Sequence, residues 1–262
     1  MEERYDAQGF KLDKNDFVKL IKYNANLAQK MVDESAQDSD NKKNTKTRKS
    51  SFNTKKSKTS KTGDAIREDD YGKNELYKLI QKKTFDEKWF LEIIDLINTT
   101  NSTRVSKVNQ KSFAKYVSIN EDDILKKIED GDVEVVNELA EKGAKEHLFS
   151  FASKFCTYIS RYLFDKDKNN DNKFMPYDKV LQSILPYYAW VYCGKKRIPD
   201  FKDKHQYGEY IGLVREIIEQ SKKLYGEEGN LTLKQFDRLL WYKYKGLLGE
   251  DLIGEESAKI NK

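Results

Sequence analysis

From about residue 70 onward, apolar side chains recur every three or four positions with hardly a break. That spacing marks one face of an α-helix, whose repeat is 3.6 residues. No stretch of useful length alternates apolar and polar residues as a half-buried strand would, and no internal repeat is visible. Three prolines and 13 glycines in 262 residues suit helices better than a many-turned β fold. The pattern predicts an all-α chain of short helices near 73–83, 86–98, 107–116, 121–129, 132–142, 145–164, 178–193, 204–224 and 232–246. Asn120 is the expected N-cap of the fourth. Turns are expected at Gly131, Gly143, Asp165–Asn172, Pro176, Gly194, Pro199, Gly226 and Gly229, with Pro186 kinking or restarting its helix.

The region before residue 70 divides in two. Residues 14–34 carry Phe17, Leu20, Ile21, Leu27 and Met31 at helical spacing. Residues 41–63 hold nine Lys/Arg and no acid, among Ser, Thr and Asn. Such a segment cannot bury a core. Since the whole chain carries only +5, the remainder is slightly acidic. The expected organisation is an N-terminal helix (1–34) packing on the main domain, a disordered basic linker (35–68) and a helical domain (69–262). The linker reads either as a solvated tether or as an arm that contacts phosphates without reading sequence.

Composition narrows the class. Aromatics at 12% argue against disorder throughout. No apolar run approaches the ~20 residues of a membrane helix, and no signal-peptide pattern opens the chain. Two cysteines, Cys156 and Cys193, make neither a disulfide scaffold nor a C-x-x-C metal pair, and two histidines make no His-rich site. The expectation is a soluble, cytoplasmic monomer without metal or organic cofactor.

Three segments could carry chemistry. In 145-KEHLFSFASKFCTYISRYLF-164, Leu148, Phe151, Phe155, Tyr158, Ile159 and Tyr162 form a broad apolar face. His147 and Lys154, two turns apart, would share one face of that helix. Burying an ammonium is costly and favours the neutral, nucleophilic amine; the alternative is that Lys154 snorkels to water. In 173-KFMPYDKVL-181, a proline turn delivers Asp178 to a helix start, as a simple N-cap or as a carboxylate facing a cationic transition state or activating a water. In 236-FDRLLWYKYKGLLGEDL-252, Asp237 and Trp241 lie four apart. They read as core, or as an acceptor beside a stacking plane that holds a flat heterocycle.

In this order, these segments resemble the archaeal 8-oxoguanine DNA glycosylases, a branch of the helix-hairpin-helix glycosylase superfamily. The resemblance runs from about residue 73 to 255 and includes KWFLEI around Trp89 and STRVSKVNQKSFAKY. Its closest part is the last segment, where the family also has an Asp and a Trp four apart before a Gly-Glu pattern. It implies a two-lobed helical domain with a cleft that receives a modified base flipped out of DNA. Asp178 matches the family's catalytic aspartate. Asp237 and Trp241 match residues that hold the base, and Trp89 would complete an aromatic sandwich. The family's attacking lysine falls at His147 here, with Lys154 matching a second lysine seven residues on; Lys145 or Lys154 could substitute. The family's Pro-Gly-Val-Gly hairpin is absent, and Glu141-Lys142-Gly143-Ala144 is at most a degenerate version of it.

The chemistry that would follow is cleavage of an N-glycosidic bond. Asp178 would stabilise positive charge on the sugar. A lysine nucleophile would give a Schiff base and strand cleavage; water, which His147 could polarise, would give an abasic site. Trp241 and Trp89 would stack the base, at about 1–3 kcal/mol each, and Asp237 would accept from its ring N–H groups. Lys195, Lys196 and Arg197, with Lys243 and Lys245, would form a basic rim for the DNA backbone, and DNA binding would place the protein on the nucleoid.

Overall fold

The computed structural model describes residues 75–101, 103–164, 173–195, 197–201, 206–225 and 231–244. The N-terminal helix and the basic linker expected before residue 69 lie outside the described residues. Within them the chain is all-helical. Residues 75–80 are helical, followed by α1 (Glu87–Thr100), α2 (Lys107–Ile119), α3 (Glu121–Asp130), α4 (Glu134–Lys142), α5 (Phe149–Ile159), α6 (Lys179–Cys193), α7 (Tyr207–Tyr225) and α8 (Leu233–Tyr244). The last turn of α5 widens into a π-helix over Ser160–Phe164.

Local chemistry explains most boundaries. Asp86 caps α1 by accepting the Trp89 N–H at 2.7 Å, and Phe90, Ile93, Ile94 and Ile97 sink one face of it. Burial of each such side chain contributes about 1.5–3 kcal/mol. Ser106 caps α2 through the Asn109 N–H. Gly131 ends α3 in the left-handed region (φ 80°), where glycine carries no Cβ penalty. Helices α1 and α2 pack together, α4 packs on α5, and α6, α7 and α8 pack among themselves. Helix α4 also meets α7, and the buried apolar side chains form one continuous core.

Four sequence expectations are corrected. Asn120 does not cap α3: its side chain donates back to the Tyr116 carbonyl at 2.8 Å and closes α2. Helix α3 instead starts with three acids, Glu121, Asp122 and Asp123, which suit the positive end of the helix dipole. Pro186 restarts nothing, because α6 runs through it unbroken. Gly143 is not a left-handed turn glycine; it ends α4 at φ −67°. A Cβ there would lie 2.6 Å from the Phe113 ring, so the position is glycine for space. Finally, α5 begins at Phe149 rather than 145. The Leu148 N–H bonds the Ala140 carbonyl at 3.0 Å, which folds the connection back over α4 before the helix starts.

Candidate active site

The approach to α6 is the part of the molecule most densely tied by side chains. Phe174, Met175 and Tyr177 are buried, and Pro176 keeps this stretch out of a helix. An extended buried chain must find partners for its backbone polar groups, and three hydroxyls supply them. The Tyr207 hydroxyl donates to the Met175 carbonyl at 2.7 Å and accepts the Met175 N–H at 2.9 Å. The Tyr210 hydroxyl donates to the Pro176 carbonyl at 2.9 Å. Ser153 Oγ accepts the Tyr177 N–H at 2.9 Å and donates to the Ser150 carbonyl. Asp178 follows as the N-cap of α6, its Oδ1 accepting the Leu181 N–H at 3.0 Å.

The turn is wrapped in rings. Phe149 meets Tyr177 edge-on at 5.2 Å and also touches Tyr207. Tyr210 packs on both Tyr177 and Phe201. Burial pushes the Tyr207 and Tyr210 hydroxyls well above the ordinary tyrosine value, and the charge of Asp237 adds to the effect on both. Asp178 also acts on Tyr210. Two carboxylates from segments far apart in the chain thus stand within electrostatic range of one hydroxyl.

Four of the residues singled out in the sequence gather around this aromatic cluster. Asp178 follows Tyr177 directly, and Asp237 acts on Tyr207 and Tyr210 from α8. Lys154 follows Ser153, is only 6% exposed, and donates to Ser150 Oγ at 2.8 Å. It does not snorkel, because a hydroxyl inside the fold already receives its ammonium. His147 is exposed and stacks on Phe149 at 6.0 Å. It lies outside α5, so His147 and Lys154 do not share a helix face as the spacing predicted. Lys145 is exposed and also precedes the helix.

The remaining candidates stand elsewhere or only partly in view. Trp89 is core: it is 2% exposed, its indole N–H donates to the Leu79 carbonyl at 2.8 Å, and Phe85 and Phe90 meet its ring edge-on. It offers no open face to a ligand, which corrects its reading as half of a sandwich. Trp241 stands on α8, one turn after Asp237; its side chain lies outside the described residues, as do Lys196 and the side chains of Lys243 and Lys245. Lys195 is exposed and pairs with Glu216, and Arg197 is exposed. Among the described residues no group of three or more His, Cys, Asp or Glu could hold a metal, and no helix is long and apolar enough to cross a membrane. Sequence reasoning missed Ser150, Ser153, Tyr207 and Tyr210. The available signal was polarity within apolar helix faces, since buried tyrosine and serine hydroxyls need partners.

The described fold is an all-helical domain with a carboxylate held at a helix start beside a buried lysine. Residues 27–167 match the family model HI_0787_N, described as an N-terminal domain, and the chain belongs to that family. The matched range includes Trp89, Lys145, His147 and Lys154, while Asp178, Asp237 and Trp241 lie beyond it. A relative from Haemophilus influenzae, named only "Uncharacterized protein", is 24% identical over 172 residues, covering 64% of this chain and 71% of its own. No solved structure matches.

Proposed function

We propose that this protein is a DNA glycosylase of the two-lobed helix-hairpin-helix type. It excises an oxidised or otherwise modified base, 8-oxoguanine-like, in base-excision repair or in defence against modified DNA. The observation that carries the reading is the bond from the Tyr177 N–H to Ser153 Oγ. It joins the turn bearing Asp178 to the turn bearing Lys154, as a reaction centre built from two elements requires.

Departure of a base leaves positive charge on the deoxyribose. Asp178 stabilises that charge from a backbone that cannot relax away, which is the preorganisation that makes a fixed charge effective. Its Oδ1 serves the helix cap, and a carboxylate has a second oxygen to face the sugar. Lys154 is held inward by Ser150, so water is the favoured nucleophile, with His147 at the rim to orient it; the product is then an abasic site. Asp237 accepts from the N7–H that an oxidised purine gains, and Trp241 stacks the ring. Lys195, Lys196, Arg197 and the 41–63 segment contact phosphates, Lys195 exchanging Glu216 for one.

The test is incubation of the full chain with duplexes carrying 8-oxoguanine and other modified bases, followed by alkali and by borohydride trapping. Asp178→Asn keeps the helix cap and should lower excision by roughly 10²–10³-fold. Asp178→Ala should in addition cost about 1 kcal/mol of stability. Folded wild-type protein that releases no base from any duplex overturns the proposal. A second reading, a non-catalytic DNA-binding protein on the same scaffold, is favoured by the closed packing of Trp89; it predicts binding without abasic product.

A further inference from the structure

A pocket of about 220 Å³ opens beside the first turns of α6. Tyr177 and Phe201 form its buried base, their rings 6.4 Å apart and edge-on. Pro186 and Pro199 add flat apolar surface. Gln182 and Asp200 are exposed at its mouth and joined by a bond from Gln182 Nε2 to Asp200 Oδ2 at 3.1 Å. The volume is below the ~300–1,000 Å³ of sites for drug-sized ligands, which limits an occupant to a single small ring system.

The pocket is continuous with the candidate site. Tyr177 belongs to both, and Tyr210 packs on Tyr177 and Phe201 alike. Gln182 stands one helical turn after Asp178, so the two side chains are separated by about 5–6 Å at Cβ. A sugar at Asp178 would therefore place its attached base at the Gln182–Asp200 pair.

We infer that this pocket binds a purine of the guanine type, with Asp200 accepting from its N1–H and exocyclic N2–H and Gln182 donating to its O6. A carboxylate suits that edge because both of its oxygens accept, whereas the adenine edge presents a bare ring nitrogen to it. The flat surfaces suit a planar ring, and the hydrogen-bonding pair is already aligned. This assignment rests on the glycosylase reading for its biological use. It deepens that reading by naming the side chains that choose the base, while Asp237 takes the opposite, N7 edge.

The experiment titrates the full-length protein with 8-oxo-2′-deoxyguanosine, 2′-deoxyguanosine and 2′-deoxyadenosine, read by calorimetry and by ligand-observed NMR. Excision assays run in parallel, and circular dichroism controls folding. The guanine-type nucleosides should bind at least about tenfold more tightly than deoxyadenosine. Asp200→Asn and Gln182→Leu, both exposed positions, should each remove most of that preference. Equal binding of all three nucleosides, binding of none, or a preference that survives both substitutions overturns the inference. Guanine-selective binding without excision from any duplex overturns the glycosylase reading and leaves the pocket assignment standing. Excision with no effect of either substitution on nucleoside preference does the reverse.

Discussion

At Gly143 the chain lacks a side chain because the Phe113 ring occupies the space one would fill. Gly143→Ala should therefore destabilise the fold by about 1–3 kcal/mol, through overpacking rather than backbone conformation. Urea unfolding of the variant checks this, and an unchanged midpoint would refute it. Single side chains elsewhere are also decided by one neighbour. Trp89 could have been a stacking platform by its sequence alone, but the Leu79 carbonyl and two phenylalanine rings make it core. Asn120 is a good N-cap residue type, yet the nearby Tyr116 carbonyl takes its side chain. In each case the type of residue was legible and its partner was not.

The turn before α6 shows how elements cooperate. Removing the Tyr207 hydroxyl would strip partners from both backbone groups of Met175 at once. Tyr207→Phe should cost about 1–3 kcal/mol and speed hydrogen exchange at Tyr177 and Asp178, measured by mass spectrometry; unchanged exchange there would count against the turn being held by this hydroxyl. A second polar cluster ties α2, α3 and α4. Glu138 accepts from Tyr116 at 2.9 Å and from Lys127 at 2.9 Å, and Lys127 also reaches Asp123. The hydrogen bond from Lys127 holds the Glu138 carboxyl below its ordinary range despite burial. Its stabilisation is thus present above the ordinary carboxylate value and lost as pH falls through the lower folded one. Burial and the bond to Glu138 push Tyr116 up to about 12 from an ordinary 10.0. The fold favours its neutral form, so that stabilisation holds below pH 10 and fades as pH rises toward 12. Wild-type stability should fall across this alkaline window more steeply than that of Tyr116→Phe, and Glu138→Gln should flatten the acid limb. Denaturation midpoints measured against pH test both, and parallel profiles would rule out the cluster as the cause.

For the molecule as a whole, the charge distribution makes a separate prediction. Nine Lys/Arg in residues 41–63 against a slightly acidic remainder assign much of the non-specific DNA affinity to that segment. A chain lacking 41–63 should bind duplex DNA more weakly. Its log affinity should also depend less steeply on log salt, by up to about 0.9 for each phosphate left unneutralised. An unchanged slope in a salt titration would place the phosphate-binding groups on the helical domain instead.

Helix content, most helix boundaries and the apolar faces followed from the sequence by itself, because a helix is a local object and its buried stripe repeats within a few residues. Gathering Asp178, Lys154 and Asp237 around one aromatic cluster was decided only by the tertiary structure. The hydrogen bonds responsible link residues 24 to 34 positions apart, from Ser153 to Tyr177 and from Pro176 to Tyr210. Whether a serine or tyrosine hydroxyl points to water or satisfies a buried carbonyl depends on what packs over it, and no local period encodes that.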